Sequence, residues 1–481
     1  MLLYWKKVIT NILYTYIFWK EDENLKKQIA IIVGKIVTFV CTKIIKKGGT
    51  TIGGAIALKI YPRLLEEFEM PKTVVGITGT NGKTTVTNMI ASVAKENNIS
   101  YVSNLAGANM KGGIVTAFLK ESTINGKIKK DMAILEMDER FTPIIFENGF
   151  KIDYLVVTNL TRDSMKRNAN PDYILEILSH SIPKNIKIIV NGDDVIASAI
   201  GENEKKYYGI ARQKEDRDKP YNIIRDITIC PKCSSKLEYE FVRRNHIGKL
   251  KCSNPNCDFK NPKLDYEIIE IDKEKEIIRV KNNEKIYEYS IVQNNIYNIY
   301  NELAVISLYS EIGLSYEKIK KAISKINITG SRYNTYDLKD GKKLITNLCK
   351  GQNPIAGSNV IMSMMEDTKN KTVIIAIADA NDDAQSTETS MWLYEVDFEM
   401  LKRDDIKRIV VKGPREEDVY VRLLLAGIEK EKIVLLKNLH NIENNLNIDE
   451  VENIYLMHDS TILDEVEIIK DNILKKYGKT K

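Results

Sequence analysis

The sequence predicts an α/β protein built around parallel strands, and two observations support this fold class. Short apolar segments alternate with helical patterns, as where "KTVVGITG" (72–79) precedes "TTVTNMIASVAKEN" (84–97). The next apolar segments, "KDMAILEMDE" (130–139), "IDYLVVTNL" (152–160) and "NIKIIVNGDD" (185–194), each end in polar groups. Buried parallel strands are continuous apolar runs, and open α/β sheets bind their ligands where those strands end. We therefore expect a ligand site at that edge of the sheet.

Chain length and a second alternation predict more than one domain. A chain of 481 residues is too long for one hydrophobic core, and its net charge of +6 is weak evidence for a polyanionic partner. A new alternation starts at residue 342 and runs through "KLITNL", "KTVIIAIADAND", "IKRIVVKG", "KIVLLKN" and "ENIYLMHD". The predicted organisation is N-terminal helices at 1–45, a central domain at 46–328 that carries an insertion at 222–265, and a smaller α/β C-terminal domain at 329–481.

The N-terminal segments do not have the pattern of a membrane span. "IAIIVGKIVTFVCTKII" (29–45) contains Lys35 and Lys43, whereas a spanning helix needs about 20 mostly apolar residues. No small-residue cleavage site of a signal peptide follows. We expect amphipathic helices, with 29–45 packing on the domain. For residues 1–20, packing and a basic, aromatic contact with the membrane surface both stay open. The expected location is the cytoplasm, where a position at the inner face of the cell membrane stays open.

The segment "GITGTNGKTT" (76–85) predicts a phosphate-binding loop between a strand and a helix. Glycine would be expected at position 77 of a generic loop, but Ile77 stands there. We expect the loop glycines to turn backbone N–H groups inward, Lys83 to neutralise the β- and γ-phosphates, and Thr84 to ligate Mg²⁺. The alternative is a glycine-rich turn with an incidental lysine. The predicted nucleotide-binding residues of this loop are Gly79, Thr80, Asn81, Gly82, Lys83, Thr84 and Thr85.

This loop resembles that of the Mur ligase family, the ATP-dependent amide ligases of peptidoglycan synthesis, whose form is Gly-x-Thr-Gly-Thr-Asn-Gly-Lys-Thr. The segment "VVTNLTRD" (156–163) resembles the family's Thr-Asn-Leu…Asp segment. The resemblance implies that Glu136 in "LEMDE" ligates Mg²⁺, although a solvated acidic loop is the alternative. It also implies that Asn298 in "YNIYNELAV" faces the adenine and that Arg332 in "GSRYN" reaches the γ-phosphate. Asn334 stands where the family has glutamate.

Four of the six cysteines form two close pairs, which favours a metal site and a reducing compartment over disulfides. Cys230-Pro-Lys-Cys233 and Cys252-Ser-Asn-Pro-Asn-Cys257 are 18 residues apart, which predicts a zinc ribbon. Four thiolates leave no open position for water, so the zinc would be structural. Four free cysteines are the alternative. Although the ribbon contains basic residues, it has no set of stacking aromatics, and we expect no nucleic-acid partner.

A cysteine ribbon inserted in a Mur-type central domain resembles the MurT ligases, and the resemblance extends over about residues 30–481. It implies an ADP-forming carbon–nitrogen ligase that amidates the D-glutamate carboxylate of the lipid II stem peptide to D-isoglutamine, through an acyl phosphate. Ammonia would come from glutamine through a GatD-like glutaminase subunit, in a heterodimer. The chain itself shows no glutaminase nucleophile, because Cys349 has no His near it in the sequence.

The C-terminal segment "NDDAQSTETSMW" (381–392) contains Asp382, our candidate for the acid that completes the partner's Cys-His pair by orienting its histidine. A turn-forming loop is the alternative. Two later aspartates of the MurT-type segment are replaced by Ser386 and Thr389. In a different segment, the one after "TNL" (158–160), a further aspartate of the family is replaced by Lys166. These differences leave two alternatives open: a Mur-like ligase for another carboxylate and amine, and a degenerate scaffold that binds nucleotide.

Overall fold

The computed structural model contains two compact units. It describes residues 22–45, 51–105, 108–163, 170–326, 333–349, 351–377, 390–413, 415–436, 442–459 and 462–479. The first unit takes in the described residues within 22–160, 172–216 and 247–326, and the second those within 161–171, 217–246 and 333–479. The domain boundaries predicted from the sequence stay predictions. Residues 1–20 lie outside the described part of the chain.

A nine-stranded mixed sheet forms the centre of the first unit, in the order β11-β10-β9-β6-β5-β4-β1-β3-β2. Its strands are β1 (Thr73–Thr78), β2 (Tyr101–Ser103), β3 (Met132–Glu136), β4 (Tyr154–Val157), β5 (Lys187–Asn191), β6 (Lys205–Ile210), β9 (Tyr266–Asp272), β10 (Ile277–Asn282) and β11 (Lys285–Ser290). Neighbouring strands from β2 to β9 are parallel, whereas β9, β10 and β11 pair antiparallel. Strand β3 is buried along its whole length, as expected for a strand covered on both faces.

The helices of the first unit connect and cover these strands. They are α1 (Glu23–Phe39), α2 (Ile52–Ile60), α3 (Lys83–Glu96), α4 (Lys111–Glu121), α5 (Thr142–Phe146), α6 (Pro171–Ser181), α7 (Val195–Ser198), α8 (Ile296–Ile312) and α9 (Tyr316–Ile323). Helix α1 continues as a π-helical turn, Val40–Ile45, and packs against α2 and α4. Helix α3 begins at Lys83, within the predicted phosphate loop, and packs against α8, so both helices approach that loop.

The cysteine-rich insertion forms its own two-stranded sheet from β7 (Leu237–Arg244) and β8 (Ile247–Cys252). The division between the two units falls in the turn of this hairpin.

A six-stranded mixed sheet forms the centre of the second unit, in the order β12-β13-β17-β14-β15-β16. Its strands are β12 (Tyr333–Asp337), β13 (Lys343–Leu348), β14 (Lys371–Ala376), β15 (Ile406–Lys412), β16 (Ile433–Leu435) and β17 (Asn453–His458), and its helices are α10 (Pro354–Met365), α11 (Glu416–Leu425) and α12 (Leu463–Tyr477). Only β12 is antiparallel to its neighbour among these strands. Buried apolar clusters, one with Trp392 and Phe398 and one with Leu338 and Ile469, complete its core.

Candidate functional site

The predicted phosphate loop joins β1 to α3, and its backbone needs glycine at two positions. Gly79 has φ +125° and Gly82 has φ +90°, a region that side chains other than glycine rarely adopt. A Cβ atom at Gly79 would lie 2.2 Å from the hydroxyl of Thr158, and one at Gly82 would lie 2.5 Å from Oδ1 of Asn301. Ile77, at the position where a generic loop has glycine, is a fully buried residue of β1. The glycine shift therefore follows from where the strand ends.

The segment after β4 holds this loop in place. The backbone N–H of Thr80 donates to the carbonyl of Asn159 at 2.8 Å, and that of Asn81 donates to the Asn159 side chain at 3.1 Å. The carbonyl of Asn81 accepts from the Asn159 amide at 2.9 Å and from the Thr158 hydroxyl at 2.6 Å. A loop fixed by so many bonds presents its remaining N–H groups without having to reorganise on binding.

Lys83 is the first residue of α3 and points back across the loop. Its Nζ donates to the carbonyl of Gly79 at 2.5 Å and lies 3.1 and 3.2 Å from the two carboxylate oxygens of Glu139. Burial opposes the charge of Lys83, but the carboxylates of Glu139 and Asp138 outweigh it and raise the pKa of Lys83. Burial also raises the pKa of Glu139, against the effect of Lys83. The lysine is thus held as a cation beside the loop.

Glu136 ends β3 next to this loop and has one carboxylate oxygen without a partner. Asn104 holds its backbone: the Asn104 side chain accepts from the N–H of Glu136 and donates to its carbonyl, both at 2.8 Å. The amide of Asn109 lies 3.5 Å from Oε1, whereas the buried Oε2 has no hydrogen-bond partner within the described residues. Buried polar atoms normally have partners, and Mg²⁺ prefers carboxylate and hydroxyl oxygens. With the exposed Thr84 at the start of α3, this oxygen fits a divalent cation.

Helix α8 closes the other side of the loop. Asn295 caps its N-terminus by accepting from the N–H of Asn298 at 2.9 Å, and the Asn298 side chain accepts from Asn301 at 3.1 Å. Asn301 in turn lies against Gly82. The structure therefore brings Asn298 close to the predicted nucleotide residues. Arg332 and Asp382 lie outside the described residues, and the roles predicted for all these side chains stay predictions.

Glu302, the residue after Asn301, is an acidic group that the sequence did not identify as part of this region. It is fully buried, and its Oε2 accepts from the N–H of Val292 at 3.0 Å. Its Oε1 has no hydrogen-bond partner in the described chain. Burial raises the pKa of Glu302 to about 8, so the side chain is mostly protonated at neutral pH. No sequence signal distinguishes it from a solvated glutamate.

The four paired cysteines come together, with sulfur atoms that all lie within 4.8 Å of one another. None of them forms a disulfide. The backbone N–H of Lys232 donates to Sγ of Cys230, and that of Asn254 donates to Sγ of Cys252, both at 3.4 Å. Such bonds stabilise thiolate charge. Four convergent thiols with this support fit a tetrahedral zinc ion.

The structure places Cys349 close to a histidine that is distant in the sequence. The sequence places no His near it, but strand pairing brings β13 beside the end of β17, so that Cys349 follows the residue paired with His458. The Cys349 thiol donates to the backbone carbonyl of His458 at 3.2 Å, and its N–H donates to the same oxygen at 2.8 Å. The thiol is buried and is bonded to a carbonyl oxygen. The contact therefore gives it no base.

Comparison with known proteins identifies the family. Residues 77–254 match the Mur ligase middle domain, and residues 350–463 match the MurT ligase C-terminal domain. The MurT subunit of lipid II isoglutaminyl synthase (glutamine-hydrolyzing) from Staphylococcus aureus strain COL is 33% identical over 397 residues, covering 82% of this chain and 86% of that protein. The chain belongs to the MurT family. It is therefore a ligase.

A second MurT subunit is similar in sequence, and two solved ligases are similar in fold. The MurT subunit from Streptococcus pneumoniae strain R6 is 27% identical over 90% of this chain and 94% of that protein. A pseudomurein peptide ligase type C from Methanothermus fervidus superposes with a TM-score of 0.62 at 19% identity, covering 85% of this chain and 81% of that one. MurF from Acinetobacter baumannii superposes with a TM-score of 0.59 at 13% identity, covering 87% and 80%. The predicted α/β Mur-type fold is confirmed.

Proposed function

We propose that this MurT-family ligase uses ATP to convert the D-glutamate carboxylate of lipid II into the amide of D-isoglutamine. The observation that carries the proposal is the phosphate loop: both its glycines are required by geometry, and its lysine is held as a cation. The activity named for the relatives supports the choice of substrate. The protein would act in the cytoplasm, in peptidoglycan synthesis.

In this proposal ATP lies along residues 79–85, with Asn298 on the adenine side. Mg²⁺, held by Thr84 and Glu136, would neutralise charge on the phosphates when bound. Lys83 and Arg332 offset the charge that remains on the transferred phosphoryl group. Catalysis of phosphoryl transfer is mostly positioning and electrostatics, which suits a rigid loop beside a preformed cation.

The chemistry has two balanced steps. First, a substrate carboxylate oxygen attacks the γ-phosphorus; the bond to the bridging oxygen breaks, ADP leaves, and an acyl phosphate forms. Second, the nitrogen of ammonia attacks the acyl carbon, phosphate leaves, and a proton is lost to give the carboxamide. Because ammonia is mostly protonated at neutral pH, a source of NH₃ close to the acyl phosphate favours the second step.

We propose that a GatD-like glutaminase subunit supplies this ammonia from glutamine, in a heterodimer with the ligase. Asp382 is our candidate for the acid that orients the partner's catalytic histidine. The four clustered cysteines would hold a structural Zn²⁺ that stabilises the β7–β8 hairpin, since four thiolates leave no open position for a substrate.

The decisive experiment supplies the ligase with ATP, Mg²⁺, lipid II and ammonium, and then with glutamine and the glutaminase. We expect ADP and amidated lipid II from either nitrogen source, with neither product from Lys83→Ala. ADP without amide, or an amide formed only from a different carboxylate or with a different amine, would favour a Mur-like ligase for another substrate pair. The replacements at Ser386 and Thr389 are the reason to consider that alternative. Full biological function of the Lys83→Ala variant would favour a scaffold.

A further inference from the structure

Within the described part of the chain, helix α1 packs on the first unit through one face. Ala30, Ile31 and Gly34 are buried on that face. Gly34 lies so close to the helix α2 side chain of Ala57 that a Cβ would come within 2.9 Å of it. Lys35 donates to the backbone carbonyls of Leu119 and Ser122, at the C-terminal end of helix α4. These contacts determine which side of α1 points away from the unit.

The opposite side presents a row of apolar side chains to solvent. We call this set the outer stripe: Leu25, Ile32, Ile36, Phe39 and Ile44, which are 37%, 40%, 57%, 60% and 67% exposed. Steps of three, four and seven residues place the helical members on one side of α1. Exposed apolar side chains are common singly, but a contiguous row is typical of a surface that binds something.

The charge around this stripe indicates what it binds. Residues 24–47, which hold the stripe, contain six Lys and no Asp or Glu, although the three residues before them are Glu-Asp-Glu. Two of these lysines, Lys27 and Lys35, bond to backbone carbonyls of the first unit. Lys43 is exposed beside Phe39 and Ile44. The preceding residues 1–20 contain three Lys and no acid, so they add to the positive charge of this part of the chain. An apolar row on a lysine-rich segment, with the exposed Lys43 at one end, complements an anionic lipid surface, where acyl chains and acidic headgroups meet.

We propose that the outer stripe of α1 lies on an anionic membrane surface. The helix would be parallel to the membrane plane, with Ile36 and Phe39 at the boundary of headgroups and acyl chains and Lys43 among the headgroups. Among the described helices, none is long and apolar enough to cross a bilayer. The proposal does not depend on the amidation chemistry, although a substrate with a lipid anchor would then be met at the surface where it resides.

The test is flotation of the full chain with vesicles of phosphatidylcholine alone or mixed with phosphatidylglycerol. We expect binding to the mixed vesicles only, weakened by added salt. Ile36→Glu with Phe39→Glu should lower the vesicle affinity by at least about tenfold, because two apolar side chains no longer enter the interface. Ile36→Ser with Phe39→Ser should weaken binding without adding charge. The matched control is Ile286→Glu with Leu425→Glu, at residues of similar exposure, which should bind as the wild type does.

Several results would overturn the proposal. The first is wild-type protein that does not float with the mixed vesicles. The second is stripe variants that bind the vesicles as tightly as wild type does, because another segment would then be responsible for the binding. A wild-type dimer that either stripe variant converts to a monomer would assign the stripe to a second copy of the chain. Amide formation on detergent-dispersed lipid II is measured in parallel, so that failure of the lipid contact and failure of the proposed ligase activity are told apart.

Discussion

Replacing Glu302 with Gln tests whether this neighbour of Asn301 in helix α8 is a buried, protonated carboxyl. In the unfolded chain this carboxyl titrates near 4.5, whereas in the folded protein burial raises its pKa to about 8. Between these values the folded protein holds a proton that the unfolded chain has released. The contribution of Glu302 to stability is therefore fully present below about pH 4.5 and is lost as the pH rises toward 8.

The size of this effect follows from the two pKa values of Glu302. Each pKa unit corresponds to about 1.4 kcal/mol, so the wild type should lose roughly 3 kcal/mol of unfolding free energy through this group between about pH 5 and about pH 8. Gln does not titrate, so its variant lacks that loss. Its amide oxygen can still accept from Val292, and its unpaired amide nitrogen adds a cost of about 1–3 kcal/mol that is the same at every pH.

The assay is urea unfolding of wild type and Glu302→Gln, followed by circular dichroism across that pH range. We expect the variant to gain stability relative to wild type as the pH rises. Glu302→Met, which also removes the titrating group, should show the same pH trend with a different constant offset. Stability curves for wild type and both variants that run parallel from acid to alkaline pH would refute the argument.

Three further predictions concern the loop and its metals. Gly79→Ala should abolish ATP binding, because its Cβ would meet Thr158. The control is Gly149→Ala, because Gly149 has φ +81° but no atom within 4 Å of a Cβ, so this variant should bind ATP and lose only some stability to backbone strain. Equal ATP affinities of the two variants by calorimetry would contradict this. Glu136→Gln should raise the Mg²⁺ concentration needed for ATP turnover by about tenfold or more, and an unchanged Mg²⁺ titration would exclude it as a ligand. Purified wild type should contain one zinc ion per chain by elemental analysis and Cys252→Ser much less, whereas equal zinc contents would argue against the ribbon.

Much of the fold was predictable from local sequence patterns. The segment "KLITNL" coincides with β13, and the central strands lie within the apolar segments that the sequence singled out. These strands are buried on both faces, so their composition alone marks them. The antiparallel strands β9, β10 and β11 were not identified, because their partly exposed, charge-rich sequences have no continuous apolar run.

The site was predictable where it depends on short motifs and not where it depends on distant contacts. Gly79, Gly82 and Lys83 follow one another in a strand–loop–helix context, which a sequence displays directly. The partner of Lys83 is set by the path of the chain after β3, and "LEMDE" does not distinguish Glu139 from Glu136. The position of Cys349 near His458 depends on the pairing of strands that are more than 100 residues apart.

The central claim is that this chain activates a carboxylate with ATP for attack by ammonia. The most direct measurement is the transfer of nitrogen from isotopically labelled ammonium into lipid II by the ligase alone, with ADP counted in the same reaction. The account predicts one labelled amide for each ADP formed, located on the D-glutamate residue, and neither product with Lys83→Ala. ADP release without labelled amide, or labelled amide without ADP, would contradict it.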